Sequence, residues 1–449
     1  MPKQYDLIAI GAGVAGGAAA RAARSKGLKV AIIESHEYGG TCPLRGCNPK
    51  KVLLAAAETV ARARAMHGKG VSGELSIDWA ELQEFKATFL SEMPDRIESS
   101  YVKRGIDTYH ARARFTGPNS IDAGGQELTA RHIFLGPGSW PAPLGIPGEE
   151  MVTLSDAFLD LADLPRRIVF IGGGYISFEF AHLTARAGSE TVILHRSAQV
   201  LKGYEPELAQ VIVEASREAG IDVRTDMPVT AVQRRGNDLV VLAGKNGDQS
   251  FACDMVVHGA GRAPNLEGLD LATGNVAVDK GGIVVNEFMQ STSNPAVYAG
   301  GDAARTPFAL TPSSNHEGTV AAQNILEGNT LPVNQAGIPR VVFSIPPLAA
   351  IGPSETEARQ LGLDVQVHSG TMADWLPWER LGEDHAAFKI LTAPDGRIVA
   401  AHLAGHHAEE LSNLFAMAVR LGLTVDEVQK TVWAYPTSGY YIQYMLPHK

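Results

Sequence analysis

Cysteine is scarce in this chain, with three in 449 residues. That is far too few for a secreted scaffold held together by disulfides, so any cysteine chemistry must be local. Long apolar runs are missing as well. No stretch approaches the roughly 20 residues of a membrane helix, and no membrane partner is expected. Positive charge is in deficit, with 39 Lys and Arg against 49 Asp and Glu and a net charge of −10. That balance argues against a nucleic-acid partner. The chain opens on the strand-like YDLIAI instead of a basic segment leading into a long apolar run, which makes the cytoplasm the expected location. What is abundant is ordinary core material. A hydrophobic content of 45% in a chain of this length fits about two to four domains around a large buried interior.

Glycine is placed with purpose. In YDLIAIGAGVAGGAAARAARSKGLKVAIIES an apolar run leads into Gly11, Gly13 and Gly16, then a helix of small residues, then a second apolar run ending at Glu34. This is the strand, turn, helix, strand and acid of a dinucleotide-binding unit. The glycines let the backbone approach a pyrophosphate at a helix N-terminus, and the acid holds an adenosine ribose hydroxyl. RRIVFIGGGYISFEFAHLTARAGSETVILHR repeats the pattern through Gly172 and Gly174, with Ser177 in the third glycine's place. Two dinucleotides are therefore expected. Glu34 follows Gly11 by 23 residues, and 23 residues after Gly172 stands His195, followed by Arg196. A basic pair in place of the acid points to a 2′-phosphate, hence to NADP, with NAD as the alternative if the loop is only solvated surface.

Two of the three cysteines lie in GGTCPLRGCNPKK, residues 39–51. On a turn leading into a helix, with Arg45, Lys50 and Lys51 nearby, Cys42 and Cys47 suit a working dithiol whose thiolate form is favoured. No second cysteine pair exists to complete a metal site, and none is expected. Cys253, in the strand-like FACDMVVHGAG, reads as buried and inert. AAAETVARARAMHGKG and LQEFKATFLSEMPDRIESSYVKRG have helical periodicity with charged faces and read as helices covering the first domain.

Taken together the chain resembles the FAD-dependent pyridine nucleotide disulfide oxidoreductases, the group of glutathione reductase, dihydrolipoamide dehydrogenase and mercuric reductase. GGTCPLRGCNPKK is similar to the family's redox segment, and HIFLGPGSWPAPLGIPG and VVHGAGRAPNLEGL to its two domain crossings. TSNPAVYAGGDAA resembles the second FAD fingerprint, and VVFSIPPLAAIGPSETEA the opening of the C-terminal interface domain. The resemblance implies an α/β fold with two Rossmann-like dinucleotide-binding domains and a C-terminal α+β interface domain. Residues 1–155 and 276–335 would form the FAD domain, 156–275 the NAD(P) domain and 336–449 the dimerisation domain of a homodimer. It also implies roles. Cys47 would lie against the flavin, Cys42 would be the exposed thiol that attacks substrate, and Asp302 would bind the ribityl chain. Glu179 would pair with Lys50 or Lys51 beside the flavin, and Tyr175 would gate the nicotinamide pocket. Thr41, Gly138, Thr311 and Gly261 would contact cofactor, and Arg196 and Lys202 the NADPH phosphate.

The departure is at the C-terminal end. Family disulfide reductases carry His-Pro-Thr-x-x-Glu there, an acid-base pair for the substrate thiols, whereas this chain reads AYPTSGYY. Tyr435 stands for the histidine and Tyr440 for the glutamate. A phenol with an ordinary pKa of about 10 donates a proton at neutral pH but hardly accepts one. Three activities fit that change. The first reduces disulfides or other low-pKa sulfur acceptors, with Arg45 and a tyrosine hydroxyl steadying the departing thiolate. The second reduces a metal ion or quinone, although no C-terminal cysteine pair is present to deliver a metal. The third is a non-catalytic flavoprotein or redox sensor. His316, His406 and His407 read as solvated or capping residues, and Tyr440, Tyr441 and Tyr444 as interface packing. The acceptor, a small molecule, is not named by pattern.

Overall fold

The computed structural model describes residues 2–447, and the chain forms two compact units. The first comprises the residues up to Lys51, Glu84–Ala142 and Arg262–Gln335; the second comprises Val52–Gln83, Pro143–Gly261 and the residues from Ala336 on. The chain passes between the units after Ala142 and Gly261, beside a short antiparallel ribbon of the first unit, Ser139–Pro141 on Arg262–Pro264.

In the first unit the strands Asp107–His110, Val30–Glu34, Lys3–Ile10, Glu127–Leu135 and Val297–Ala299 lie in that order, all parallel. An antiparallel pair, Ala113–Gly117 and Ser120–Ala123, continues from Glu127–Leu135. The central stretches 7–10, 30–33 and 133–135 read as apolar runs because both faces of the sheet are covered there, and Leu7, Ile8, Ile32 and Ile133 are fully buried. The helix Val14–Ser25 packs against Thr311–Glu327 so closely that a Cβ on Gly318 would sit 2.2 Å from the Ala15 carbonyl oxygen. Small residues along the first helix make that approach possible.

The second unit contains a parallel sheet ordered Ile221–Arg224, Glu190–Leu194, Arg167–Ile171 and Met255–His258. It also holds an antiparallel sheet, Arg340–Val342, Leu348–Ile351, Ile398–Ala404, Ala387–Thr392 and Gln366–Thr371, backed by the helix Ala408–Leu421. An ion cluster ties the antiparallel sheet, through Lys389, to the start of the helix Pro206–Glu218 and to the helix Glu355–Gln360. Lys389 Nζ lies 3.2 Å from Glu205, 3.2 Å from Glu207 and 3.1 Å from Glu355. Burial alone would lower the Lys389 pKa, but the three carboxylates raise it, so the ammonium stays charged.

The stretch 55–70 is helical up to Ala65, as part of Cys47–Ala65. Its neighbours differ from expectation, because Leu53, Leu54 and Ala57 join the core of the second unit with Phe158, Phe170 and Phe178. The stretch 82–105 is two helices, Trp79–Leu90 and Met93–Lys103, separated where Pro94 occupies the first turn of the second. Among the described residues no helix is long and apolar enough to cross a membrane.

Candidate active site

The two cysteines open two successive helices. Thr41–Arg45 carries Cys42, Gly46 breaks the run, and Cys47 begins the long helix Cys47–Ala65. Both are free thiols. Across from them the helix Thr311–Glu327 begins at Thr311, whose hydroxyl donates to Cys42 Sγ at 3.0 Å and lies 3.7 Å from Cys47 Sγ. Cys42 donates to Cys47, which, with Thr311, Lys50 and Lys51, lowers the Cys47 pKa to about 6 against the opposing effect of burial. The same bond, together with burial and the neighbouring charge, drives the Cys42 thiol far above its ordinary range.

Cys42 is half-buried against Thr311, and Cys47 is exposed at the start of its helix. The Arg45 guanidinium is paired with the Glu37 carboxylate, and Lys50 and Lys51 lower the Cys47 pKa. Lys50 is buried and Lys51 half-buried.

The first glycine turn is a cradle that a side chain would fill. Gly11 has φ +91°, and a Cβ there would lie 2.2 Å from the Gly136 oxygen. Gly13 caps the helix Val14–Ser25, and Gly16 is buried within it. Glu34 Oε2 accepts from Ala12 N at 2.7 Å, so the carboxylate lies on the turn. These residues fit the dinucleotide end of FAD. Asp302, in the short helical turn Gly301–Ala303, accepts from Ser139 Oγ at 2.7 Å, and Arg262 donates to that hydroxyl at 2.9 Å. Gly301 N donates to Glu317, a fully buried carboxylate that also accepts from Ser313 and Gln335. Burial raises the Glu317 pKa. Ser139, Arg262 and Glu317 carry no motif of their own, and only the cross-chain bonds reveal them. Gly138 and Gly261 lie at the two crossings with φ of +75° and +117°, and Thr41 is exposed at the start of its helix.

The second glycine turn, in the other unit, has Gly174 capping the helix Tyr175–Arg186. Tyr175 is 46% exposed, and Glu179 is buried, accepting from Phe343 N at 2.9 Å. Glu179 and the two lysines thus belong to different units. Arg196 and Lys202 are exposed on the loop after the strand Glu190–Leu194. His195 is not a phosphate-facing cation. Its Nδ1 accepts from Gly173 N at 3.0 Å, and burial lowers its pKa.

Near the C-terminus Trp375, Tyr435, Tyr440, Tyr441 and Tyr444 line an open cavity of about 630 Å³. Trp375 stacks on Tyr441 with ring centroids 5.6 Å apart, and Tyr435 meets Tyr440 edge-on at 4.9 Å. Tyr435 is 63% exposed. His406 contacts Arg62 at 3.1 Å, and burial, with its cationic neighbours, lowers its pKa to about 4, leaving it neutral. Cys253 is fully buried, and its thiol is pushed up to about 12.

A dithiol held beside one glycine-turn nucleotide fold, with a second such fold further along the chain, defines a nucleotide-linked dithiol oxidoreductase. The comparisons agree. Residues 5–323 match the family described as pyridine nucleotide-disulphide oxidoreductase, and residues 338–445 match its dimerisation domain. The chain belongs to the pyridine nucleotide-disulphide oxidoreductase family, a family of flavoprotein enzymes. It is 33% identical over 435 residues to a glutathione reductase of Burkholderia cepacia, covering 96% of each chain. It is 32% identical over 441 residues to a dihydrolipoyl dehydrogenase of Thermus scotoductus, covering 97% of this chain and 95% of the other. A mercuric reductase of Staphylococcus aureus is 30% identical over 441 residues, 96% of this chain and 80% of its own.

Proposed function

We propose that this enzyme, as a cytoplasmic homodimer, takes two electrons from NADPH and delivers them through Cys42 and Cys47 to a disulfide or other low-pKa sulfur acceptor. FAD, when bound, supplies the two-electron relay between nicotinamide and thiols. The observation that carries the reading is the pair of free thiols gathered at the Thr311 hydroxyl, 3.0 Å from Cys42 Sγ and 3.7 Å from Cys47 Sγ. With Cys47 held as thiolate near neutral pH, the Cys42 proton has an acceptor in place when Cys42 attacks. Attack on an acceptor disulfide breaks its S–S bond, forms a mixed disulfide with Cys42 and releases one thiolate. Cys47 yields the proton it took from Cys42 to the released thiolate, then attacks Cys42 Sγ as thiolate, closing the internal disulfide and releasing the second thiolate.

Lys50 is our choice for the lysine that faces the flavin, because it is buried while Lys51 is partly open. NADPH is favoured over NADH by Arg196 and Lys202 and by the lack of an acid at position 195. A reducing cytoplasm suits three free cysteines. In the homodimer Tyr435 and Tyr440, donated across the dimer as the family's acid-base pair is, act as donors to the leaving thiolate.

A second reading, an aromatic acceptor such as a quinone, is favoured by the cavity that Trp375 and four tyrosines line, where a flat ring can stack and phenols can donate to its oxygens. Purified enzyme offered NADPH with glutathione disulfide, lipoamide, polysulfide, mercuric ion and quinones decides between the readings. Turnover confined to sulfur acceptors and lost in Cys42→Ser supports the first. Quinone turnover that survives Cys42→Ser and falls in Trp375→Ala supports the second.

A further inference from the structure

The two glycine turns match bond for bond. Gly11 N donates to Ile33 O and Gly172 N to Leu194 O, each at 2.8 Å. Gly136 N donates to Ile10 O and Gly259 N to Ile171 O, again each at 2.8 Å. A Cβ on Gly11 would lie 2.2 Å from Gly136 O, and one on Gly172 would lie 2.3 Å from Gly259 O. In this frame Ala12 N, one residue past Gly11, donates to Glu34 Oε2 at 2.7 Å. Gly173 N, one residue past Gly172, donates to His195 Nδ1 at 3.0 Å.

We infer that His195 is a positioning and specificity-determining residue of the second nucleotide site: its neutral imidazole anchors the glycine turn as the Glu34 carboxylate anchors the first, and so leaves the adenosine-ribose end free of negative charge for a 2′-phosphorylated nucleotide. The specificity half rests on the NADPH reading; the anchoring half does not.

The ring's protonation follows from its partners. A backbone N–H only donates, so Nδ1 is the bare nitrogen and the proton resides on Nε2, 2.9 Å from Gln199 O and from Ser197 Oγ. Burial is the main effect that keeps the ring neutral. The bond to Gln199 O opposes it, Lys202 and Arg196 add to it, and Asp226 opposes them. The neighbouring sequence is fitted to the ring. A Cβ on Gly173 would lie 2.8 Å from His195 Cγ and 2.8 Å from Val200 Cγ1, whereas the first turn, facing a slimmer carboxylate, carries Ala12. Glycine at 173 and histidine at 195 therefore belong together, as do alanine at 12 and glutamate at 34. A carboxylate at 195 would hold the turn equally well but would repel a 2′-phosphate.

The test measures equilibrium binding of NADP⁺ and NAD⁺ to the FAD-loaded enzyme, which needs no acceptor. His195→Glu should weaken NADP⁺ by at least about tenfold while NAD⁺ holds or gains, since only the phosphate meets the new charge. His195→Asn, which keeps a neutral acceptor, should retain both nucleotides. His195→Ala should weaken both by similar factors without changing the preference, and Gly173→Ala should do the same by displacing the ring. Wild-type binding of both nucleotides by His195→Ala would overturn the anchoring role. An unchanged NADP⁺ to NAD⁺ ratio in His195→Glu would overturn the specificity role. A wild type that prefers NAD⁺ would end the NADPH reading and the specificity role together, while the alanine and asparagine variants still decide the anchoring role.

Discussion

The Thr311 hydroxyl donates to Cys42 Sγ across 3.0 Å, and the same oxygen lies 3.7 Å from Cys47 Sγ. One side chain, 264 residues beyond the second cysteine, therefore helps set the proton balance of both thiols.

Replacing it with a shape-matched apolar residue isolates that effect. Thr311→Val should raise the Cys47 pKa from about 6. The hydroxyl donates its one proton to Cys42 Sγ, so its effect reaches Cys47 chiefly through that thiol, and the rise should be up to about one unit, the worth of a neutral hydrogen bond. The rate of alkylation of reduced enzyme by iodoacetamide, followed against pH, reads the midpoint. Below it the thiol is protonated and reacts slowly. An unmoved midpoint would leave the lowering to Cys42, Lys50 and Lys51 alone.

Cys42→Ser keeps a hydrogen-bond donor beside Cys47 but removes the attacking sulfur. Disulfide turnover should fall to background while NADPH still bleaches the flavin absorbance of the variant. Loss of bleaching as well would mean that Cys42 matters to the reductive half-reaction.

Arg196→Ala tests the phosphate contact. A charge-assisted bond is worth roughly 1.5 to 3 kcal/mol, so NADPH affinity should drop about 10- to 150-fold while NADH is unaffected. Equal losses for both nucleotides would reduce Arg196 to solvated surface.

Tyr435→Phe should slow only the transfer from dithiol to acceptor, and by less than the 10² to about 10⁴ of a full acid-base catalyst. Tyr435→His combined with Tyr440→Glu supplies an acid-base pair, and activity toward glutathione disulfide or lipoamide should rise with an optimum near pH 7. A wild type and a double variant that reduce no disulfide, while quinone or metal ion turns over in both, would replace the sulfur reading with the second one.

Both nucleotide folds were legible in the chain because their determinants are local: apolar run, spaced glycines, helix, apolar run, and a residue 23 positions on. The cysteine pair was legible for the same reason. What pattern alone missed depends on which distant atom comes near. His195 beside Arg196 reads as basic, yet an amide proton from Gly173 makes it an acceptor. Arg45 reads as a cation for the thiols, but Glu37, earlier in the same loop, takes it. Glu317 looks like an ordinary helix glutamate until Gly301, Ser313 and Gln335 converge on it. The four tyrosines form a cavity only because Trp375, from a separate segment, completes the wall.

The Lys389 cluster bears on how this protein can be cut. Sequence suggests that a gene fragment ending at Gln335 would hold both nucleotide folds and lose only the dimerising portion. Such a fragment would delete the lysine together with Val342, Leu348 and Ala404, which share one core with Leu208, Ile212 and Val223 of the nucleotide fold. Uncovering that core returns apolar surface to water at a cost of roughly 25 cal/mol per Å². For truncation, domain swapping or chimera building, the last hundred or so residues are part of the nucleotide lobe's foundation, and the natural seam is the paired ribbon at Ser139–Pro141 and Arg262–Pro264.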